Sequence, residues 1–255
     1  MDVSAISSGS SGNCFYVGDK NQGILIDAGV SARQIVERLA DINRSPDSIK
    51  AIFITHEHIA HIRAADVFAR QFRIPIYATK KTSQNGFLCS DEDLINFIKN
   101  TGSENVCGLS VEAFKKSHKA ADPVSYNVYG GKKVSIITDV GYCCKNVAAN
   151  VSDADFLFFE SNHDLKMLEE GSYPYFLKKW IKSDTGHLSN KQASLCVLEH
   201  ASPRLKHLVL SHLSQTNNTP QIALSTFKSL LKERTDLKPE IIVSERERST
   251  PLFKI

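Results

Sequence analysis

The chain has 255 residues, 42% of them hydrophobic and 23% charged, with a formal net charge of +3. That is the make-up of an ordinary globular protein long enough to bury a sizeable core. It excludes a disordered or collagen-like chain, and the charge is too small to identify a polyanionic partner by itself.

The start, Met1-Asp2-Val3-Ser4-Ala5, has neither a charged leader region nor a long apolar stretch, so no signal peptide is expected. No apolar run approaches the roughly 20 residues of a membrane span, and a cytoplasmic location follows as the expectation. Cys14, Cys89, Cys107, Cys143, Cys144 and Cys196 form no C-x-x-C pair. All are expected to be reduced thiols.

In chain order, short apolar runs stop abruptly at polar residues. Ile24-Leu25-Ile26 ends in Asp27-Ala28-Gly29, and Ala51 to Thr55 ends in His56-Glu57-His58. Val134 to Thr138 ends in Asp139-Val140-Gly141, Phe156 to Phe159 ends in Glu160-Ser161-Asn162-His163, and His207 to Ser211 ends in His212. Such runs read as buried strands, and polar groups gathered where strands end are the usual makings of an active site in α/β folds. Helices are expected over Ser31 to Leu39, His61 to Phe72, Ser189 to Glu199 and Pro220 to Lys232, with Ser31, Ser189 and Thr219 as caps. Ser125 to Ile137 reads as a hairpin turning at Gly130-Gly131. Residues 80–106 carry no clear pattern. No linker stands out, so a single domain over 1–255 is expected, with two halves of similar β/α character meeting near residue 120.

The sharpest motif is Thr55-His56-Glu57-His58-Ile59-Ala60-His61. Alternate residues of an extended segment share a face, so His56 and His58 can point together, and His61 can join them from a following helical turn. Neutral imidazole is the commonest protein ligand for zinc and related metals. His118, His163, His187 and His212 are further candidates far away in sequence. His200 suits a helix C-terminus and His207 precedes a strand, and both read as structural. Lys178, Lys179 and Lys182 flank Trp180 and could follow a phosphate backbone. The simpler reading, in which Tyr175, Phe176 and Trp180 form the buried face of a helix, is favoured. The Ser7 to Asn13 stretch reads equally well as a phosphate cradle or as a tight hairpin turn.

The ordered set of strand-His-x-His-x-x-His, an isolated His, strand-Asp-x-Gly and strand-His resembles the metallo-β-lactamase superfamily. Ile6 to Cys14, His118 to Tyr126, Glu160 to Asp164, Gly186 to Asn190 and Leu210 to Ser214 resemble its YycJ/WalJ-type branch. The resemblance implies an αββα sandwich of the α/β class. It implies one metal held by His56, His58 and His118, a bridging Asp139, and a second metal held by His61 and His212. His163 and His187 are expected at the rim of that site, assisting catalysis with Asp139. Two positions depart from the pattern: Ala60 stands where the family usually has Asp, and Lys119 where the branch usually has Asp. One tight metal site and a second, weak or empty one are therefore expected.

The metal is expected to be zinc or another divalent ion such as manganese or iron. The function implied is that of a metal-dependent hydrolase. A phosphodiesterase or exonuclease on DNA or RNA is the leading expectation, with nucleic acid as partner and no membrane. A weakened member with a binding or regulatory role, or a small-ester or thioester hydrolase, are the alternatives.

Overall fold

A computed structural model describes residues 1–255. The strands are β1 (Asp2–Ser7), β2 (Cys14–Gly18), β3 (Gly23–Ile26), β4 (Ile49–Phe53), β5 (Ile76–Ala78), β6 (Ile95–Phe97), β7 (Ser103–Val106), β8 (Leu109–Lys115), β9 (Val124–Tyr129), β10 (Lys133–Ile137), β11 (Phe156–Glu160), β12 (His207–Ser211), β13 (Glu240–Val243) and β14 (Phe253–Lys254). The helices are α1 (Ala32–Asp41), α2 (Ile59–Ile62), α3 (Ala65–Phe72), α4 (Lys80–Asn85), α5 (Lys145–Ser152), α6 (Leu165–Glu170), α7 (Tyr175–Ile181), α8 (Asn190–His200) and α9 (Pro220–Leu231). Two mixed sheets flanked by helices make this the αββα architecture expected from the sequence. No helix is long and apolar enough to cross a membrane.

The chain forms two compact units. The first comprises Met1–Lys115, Ala120–Lys132 and Glu245–Ile255. Its sheet runs β14-β1-β2-β3-β4-β5-β6, antiparallel from β14 to β3 and parallel from β3 to β6. β7, β8 and β9 form an antiparallel ribbon. α1 begins in the capping box of Ser31 and Gln34 and buries Ile35 and Leu39. The helix expected over His61 to Phe72 is broken into α2 and α3. The turn after β3 captures backbone groups at the break: Ala28 N–H donates to the His61 carbonyl, and Ala64 N–H donates to the Ala28 carbonyl, both at 2.8 Å. Between β1 and β2, the Asn13 side chain closes the turn on itself. Its amide oxygen accepts from the Gly9 N–H at 3.2 Å and its amide nitrogen donates to the Gly9 carbonyl at 3.1 Å. That use of the Gly9 N–H favours the hairpin-turn reading of this stretch.

The second unit comprises Lys116–Lys119 and Lys133–Ser244. β10, β11, β12 and β13 pair in parallel, in that order. Every residue of β11 is buried, which is why the segment reads as a continuous apolar run instead of an alternating one. α8 starts in a second capping box, Ser189 with Gln192, and packs on α5 and α9. That packing brings Cys143, just before α5, to a Cα separation of 6.1 Å from Cys196 in α8, and the two form a disulfide. The expectation of uniformly reduced cysteines is therefore corrected at this pair; the other four are free.

Candidate metal centre

Three strands end in the same unusual turn. Asp27 after β3, Asp139 shortly after β10 and His212 directly after β12 all have left-handed backbones, with φ of 62°, 55° and 58°. Asp and His tolerate this conformation better than most residues, at a cost on the order of 1–3 kcal/mol. Burying one large apolar side chain of the preceding strand offsets about that much. The turn swings each side chain off the line of its strand.

In the first unit, Asp27 is fully buried and organises the histidine motif. Its carboxylate accepts from the Thr55 N–H at 2.8 Å and from the Thr55 hydroxyl at 2.9 Å. The His61 Nδ1 lies 2.7 Å from the same carboxylate. A carboxylate there fixes the proton on Nδ1 and leaves the lone pair on Nε2. Likewise His56 Nδ1 lies 3.0 Å from the Thr55 hydroxyl, while its Nε2 lies 3.0 Å from His58 Nδ1. The rings of His56 and His61 are 4.0 Å apart between centroids. One buried acid and one hydroxyl thus brace the motif from behind.

In the second unit, His118 Nδ1 faces the Gly186 carbonyl at 3.2 Å, and its Nε2 stands 3.6 Å from Asp139 Oδ1. Asp139 Oδ2 stands 3.4 Å from His212 Nδ1. His187 Nδ1 lies 2.7 Å from Glu160 Oε1, and Glu160 Oε2 accepts from the Val140 N–H at 2.7 Å. Burial pulls the His187 imidazole down, but the charge and hydrogen bond of Glu160, then the charge of Asp139, outweigh it and hold its pKa above the usual value. Two groups here bring possible ligand atoms within 4.8 Å of one another: His118, Asp139 and His187; and Glu160, His187 and His212.

The donor set fits a metal. Two atoms each about 2.1 Å from one ion, at a tetrahedral angle, lie about 3.4 Å apart. The 3.4 and 3.6 Å separations around Asp139 match that spacing and are long for direct hydrogen bonds. Imidazole with carboxylate suits a divalent ion.

The remaining candidates take other places. His163 follows β11 and is 1% exposed, with no hydrogen-bond partner at either ring nitrogen. Burial, then the charge of His187, pushes its pKa down to about 4. It joins neither ligand group. Lys119 is exposed. The buried cation of this loop is Lys116, whose Nζ donates to the Thr138 carbonyl at 2.6 Å. His200 ends α8, and His207 Nε2 lies 3.5 Å from Glu240. Sequence reasoning marked Asp27 and Glu160 as polar residues at strand ends but gave neither of them, nor Thr55, a role in the site. The signal for Asp27 was present in the repeat of strand-Asp-x-Gly at 27–29 and 139–141.

Residues 22–213 match the beta-lactamase superfamily domain. The exodeoxyribonuclease YycJ of Bacillus anthracis is 34% identical, over 92% of this chain and 90% of its own. The exodeoxyribonuclease WalJ of Streptococcus pneumoniae is 37% identical, over 99% of this chain and 97% of its own. Among solved structures, zinc-bound PqqB from Methylobacterium extorquens superposes with a TM-score of 0.75 at 16% identity, covering 98% of this chain and 99% of that one. The metallo-β-lactamase fold protein YhfI from Bacillus subtilis gives 0.74 at 15% identity, covering 98% of both. At such identities these two speak for the fold alone, whereas the two exodeoxyribonucleases span nearly the whole sequence. The chain therefore belongs to the beta-lactamase superfamily, in the branch of its YycJ/WalJ-type relatives.

Proposed function

We propose that this metal-dependent hydrolase is a cytoplasmic exonuclease acting on DNA. The observation that carries the reading is the stand-off of His118 and His212 around Asp139, beside a His187 backed by Glu160. On the family pattern, His56, His58, His118 and Asp139 would hold one divalent ion, and Asp139, His61 and His212 would hold a second. The two exodeoxyribonuclease relatives supply the substrate class.

When bound, divalent ions supply Lewis acidity toward phosphoryl oxygens and acidify water enough for attack near neutral pH. The chain's own residues do the rest. Asp27 and Thr55 hold His61 and His56 with their Nε2 lone pairs outward. Glu160 anchors His187 through Nδ1 and raises its affinity for a proton, so that Nε2–H can donate to a phosphate oxygen or to the departing sugar oxygen. Zinc, manganese and magnesium are the ions to test.

Wild-type protein and His58→Ala should be assayed with each ion on single-stranded DNA, duplex DNA and RNA. Release of nucleotides from a DNA end is expected, falling roughly 1,000-fold or more in the variant, in line with removing a group that serves the transition state. Absence of cleavage with every ion would sink the exonuclease reading, and cleavage indifferent to His58 would point to a contaminant.

A further inference from the structure

α7 does not have the buried aromatic face that its sequence suggests. Tyr175 is 78% exposed and Phe176 is 74% exposed, the two most exposed large hydrophobic residues of the chain. At about 100° per residue, Lys179 lies on the same face between them, and Trp180 lies about 40° beyond Phe176, one turn further along. The face buried in the protein is the opposite one, carrying Ile181. The helix therefore shows two aromatic rings and a lysine to solvent, with an indole continuing the stripe.

That stripe leads to the site. The Trp180 and His187 rings meet edge to face with centroids 5.5 Å apart, and His118 lies 6.4 Å from the same indole. The His187 N–H donates to the Ile181 carbonyl at 2.9 Å, so the end of α7 fixes the loop that presents His187. The indole Nε1 is buried without a hydrogen-bond partner. Charge follows the same line. Lys178, Lys179 and Lys182 come from the helix and its end, with no acidic residue among Tyr175–Lys182. Lys182 pairs with Glu169 at 2.8 Å, Lys178 donates to the Glu169 carbonyl at 2.6 Å, and Lys179 is exposed.

We infer that α7 is a platform for single-stranded DNA: bases of the strand running from the scissile end stack on Phe176 and Tyr175 while Lys179 meets their phosphates. Base-on-aromatic stacking with basic side chains beside it is the chemistry by which proteins hold single strands without reading sequence. The inference rests on the exonuclease reading and adds the part of the molecule that grips substrate beyond the reacting phosphate. A platform of this kind favours unpaired over paired DNA, because a duplex keeps its base faces stacked inside.

The test uses full-length protein and fluorescent oligothymidylates of 4 and 12 nucleotides with phosphorothioate linkages, read by anisotropy, together with kcat and KM on the cleavable strands. Wild type should bind the longer strand more tightly. Tyr175→Ala/Phe176→Ala should weaken that binding about 30-fold or more, abolish the length preference, and raise KM with kcat little changed. Lys179→Gln should flatten the salt dependence of binding. Both aromatic residues are exposed, so an unchanged melting temperature will confirm folding, and Phe97→Ala, a mostly exposed aromatic of the other unit, serves as control. If wild type cleaves DNA and the double variant binds and cleaves identically, the platform is wrong while the exonuclease reading stands. If the double variant instead loses self-association with DNA binding intact, the patch is a protein contact and the inference is overturned. If wild type neither binds nor cleaves DNA with any ion, both fall together.

Discussion

Asp27-Ala28-Gly29 and Asp139-Val140-Gly141 are nearly the same object built twice. Each follows a buried strand, and each places its Asp at φ near +60°. Each also packs its Gly against a backbone carbonyl: a Cβ would sit 1.7 Å from the Ala60 oxygen at Gly29 and 1.8 Å from the Asp184 oxygen at Gly141. Yet the two carboxylates meet different neighbours. Asp27 accepts an amide N–H and a hydroxyl, and faces a ring nitrogen at hydrogen-bonding distance. Asp139 has imidazole nitrogens standing off at 3.4 and 3.6 Å. The turn delivers a carboxylate to a strand end; the groups waiting there decide whether it braces a ring at hydrogen-bonding distance or stands among imidazoles at metal-ligand spacing.

Swapping the loss between the two sites breaks the comparison most directly. Asp139→Ala should remove bound metal and lower activity roughly 1,000-fold or more, because the one carboxylate standing between His118 and His212 goes. Asp27→Ala should act first on folding. It strands the buried Thr55 N–H and hydroxyl, at a cost of roughly 2–4 kcal/mol, while activity per folded molecule falls about 10- to 100-fold as His61 loses its orienting partner. Metal content, urea unfolding and kcat on the purified variants check both. Equal losses of metal and stability in the two variants would erase the distinction drawn here.

How much of this was legible follows from how narrowly chemistry restricts each residue. The histidines stand out as candidates because few side chains ligate metals, and the helix caps Ser31, Ser189 and Thr219 could be found because few side chains cap. The bracing residues could not be sorted, because a hydroxyl or carboxylate behind a ring looks like any other polar residue. Asp27 and Asp139 share a motif and differ only in surroundings. Residues 80–106 form elements of six residues (α4), three (β6) and four (β7), too short for periodicity to register. The break between α2 and α3 is set by hydrogen bonds from Ala28, some 30 residues away in sequence, which no local pattern encodes. α7 misled because an apolar residue on a seven-residue helix does not say which way it faces.

A smaller effect is expected where the first unit departs from its family. Ala60 lies in α2 between His58 and His61, and its carbonyl accepts from the Asn13 N–H at 2.8 Å. Its methyl offers no anion where the family pattern has a carboxylate ligand. Lys119 is exposed, but the buried Lys116 beside Thr138 keeps a positive charge in the neighbourhood. We expect the second ion to bind weakly. Ala60→Asp should raise metal content toward two per chain and activity about tenfold, with Lys119→Asp adding little. Two tightly held ions in wild type, with no gain in either variant, would show that position 60 does not limit occupancy.

The smallest effect concerns a histidine that has neither kind of partner. His61 has Asp27 behind it and His187 has Glu160, but His163 is buried with no hydrogen-bond acceptor or donor at its ring. Burial, then the charge of His187, holds its pKa down to about 4, against about 6.5 for an unfolded histidine. The sign follows from proton counting. Between those two values the unfolded chain binds the proton and the folded chain does not, so stability is fully present above about 6.5 and is lost as pH falls toward 4. His187 carries the opposite slope, since its raised pKa favours the folded protonated form until pH rises through that value. The difference between wild type and His163→Gln isolates the first contribution. Melting temperatures of metal-free protein should show the variant losing less stability than wild type between pH 7 and pH 4.5. Parallel curves would mean that His163 takes up its proton in the folded state as readily as in the unfolded chain, through a partner that the buried ring does not have in this structure.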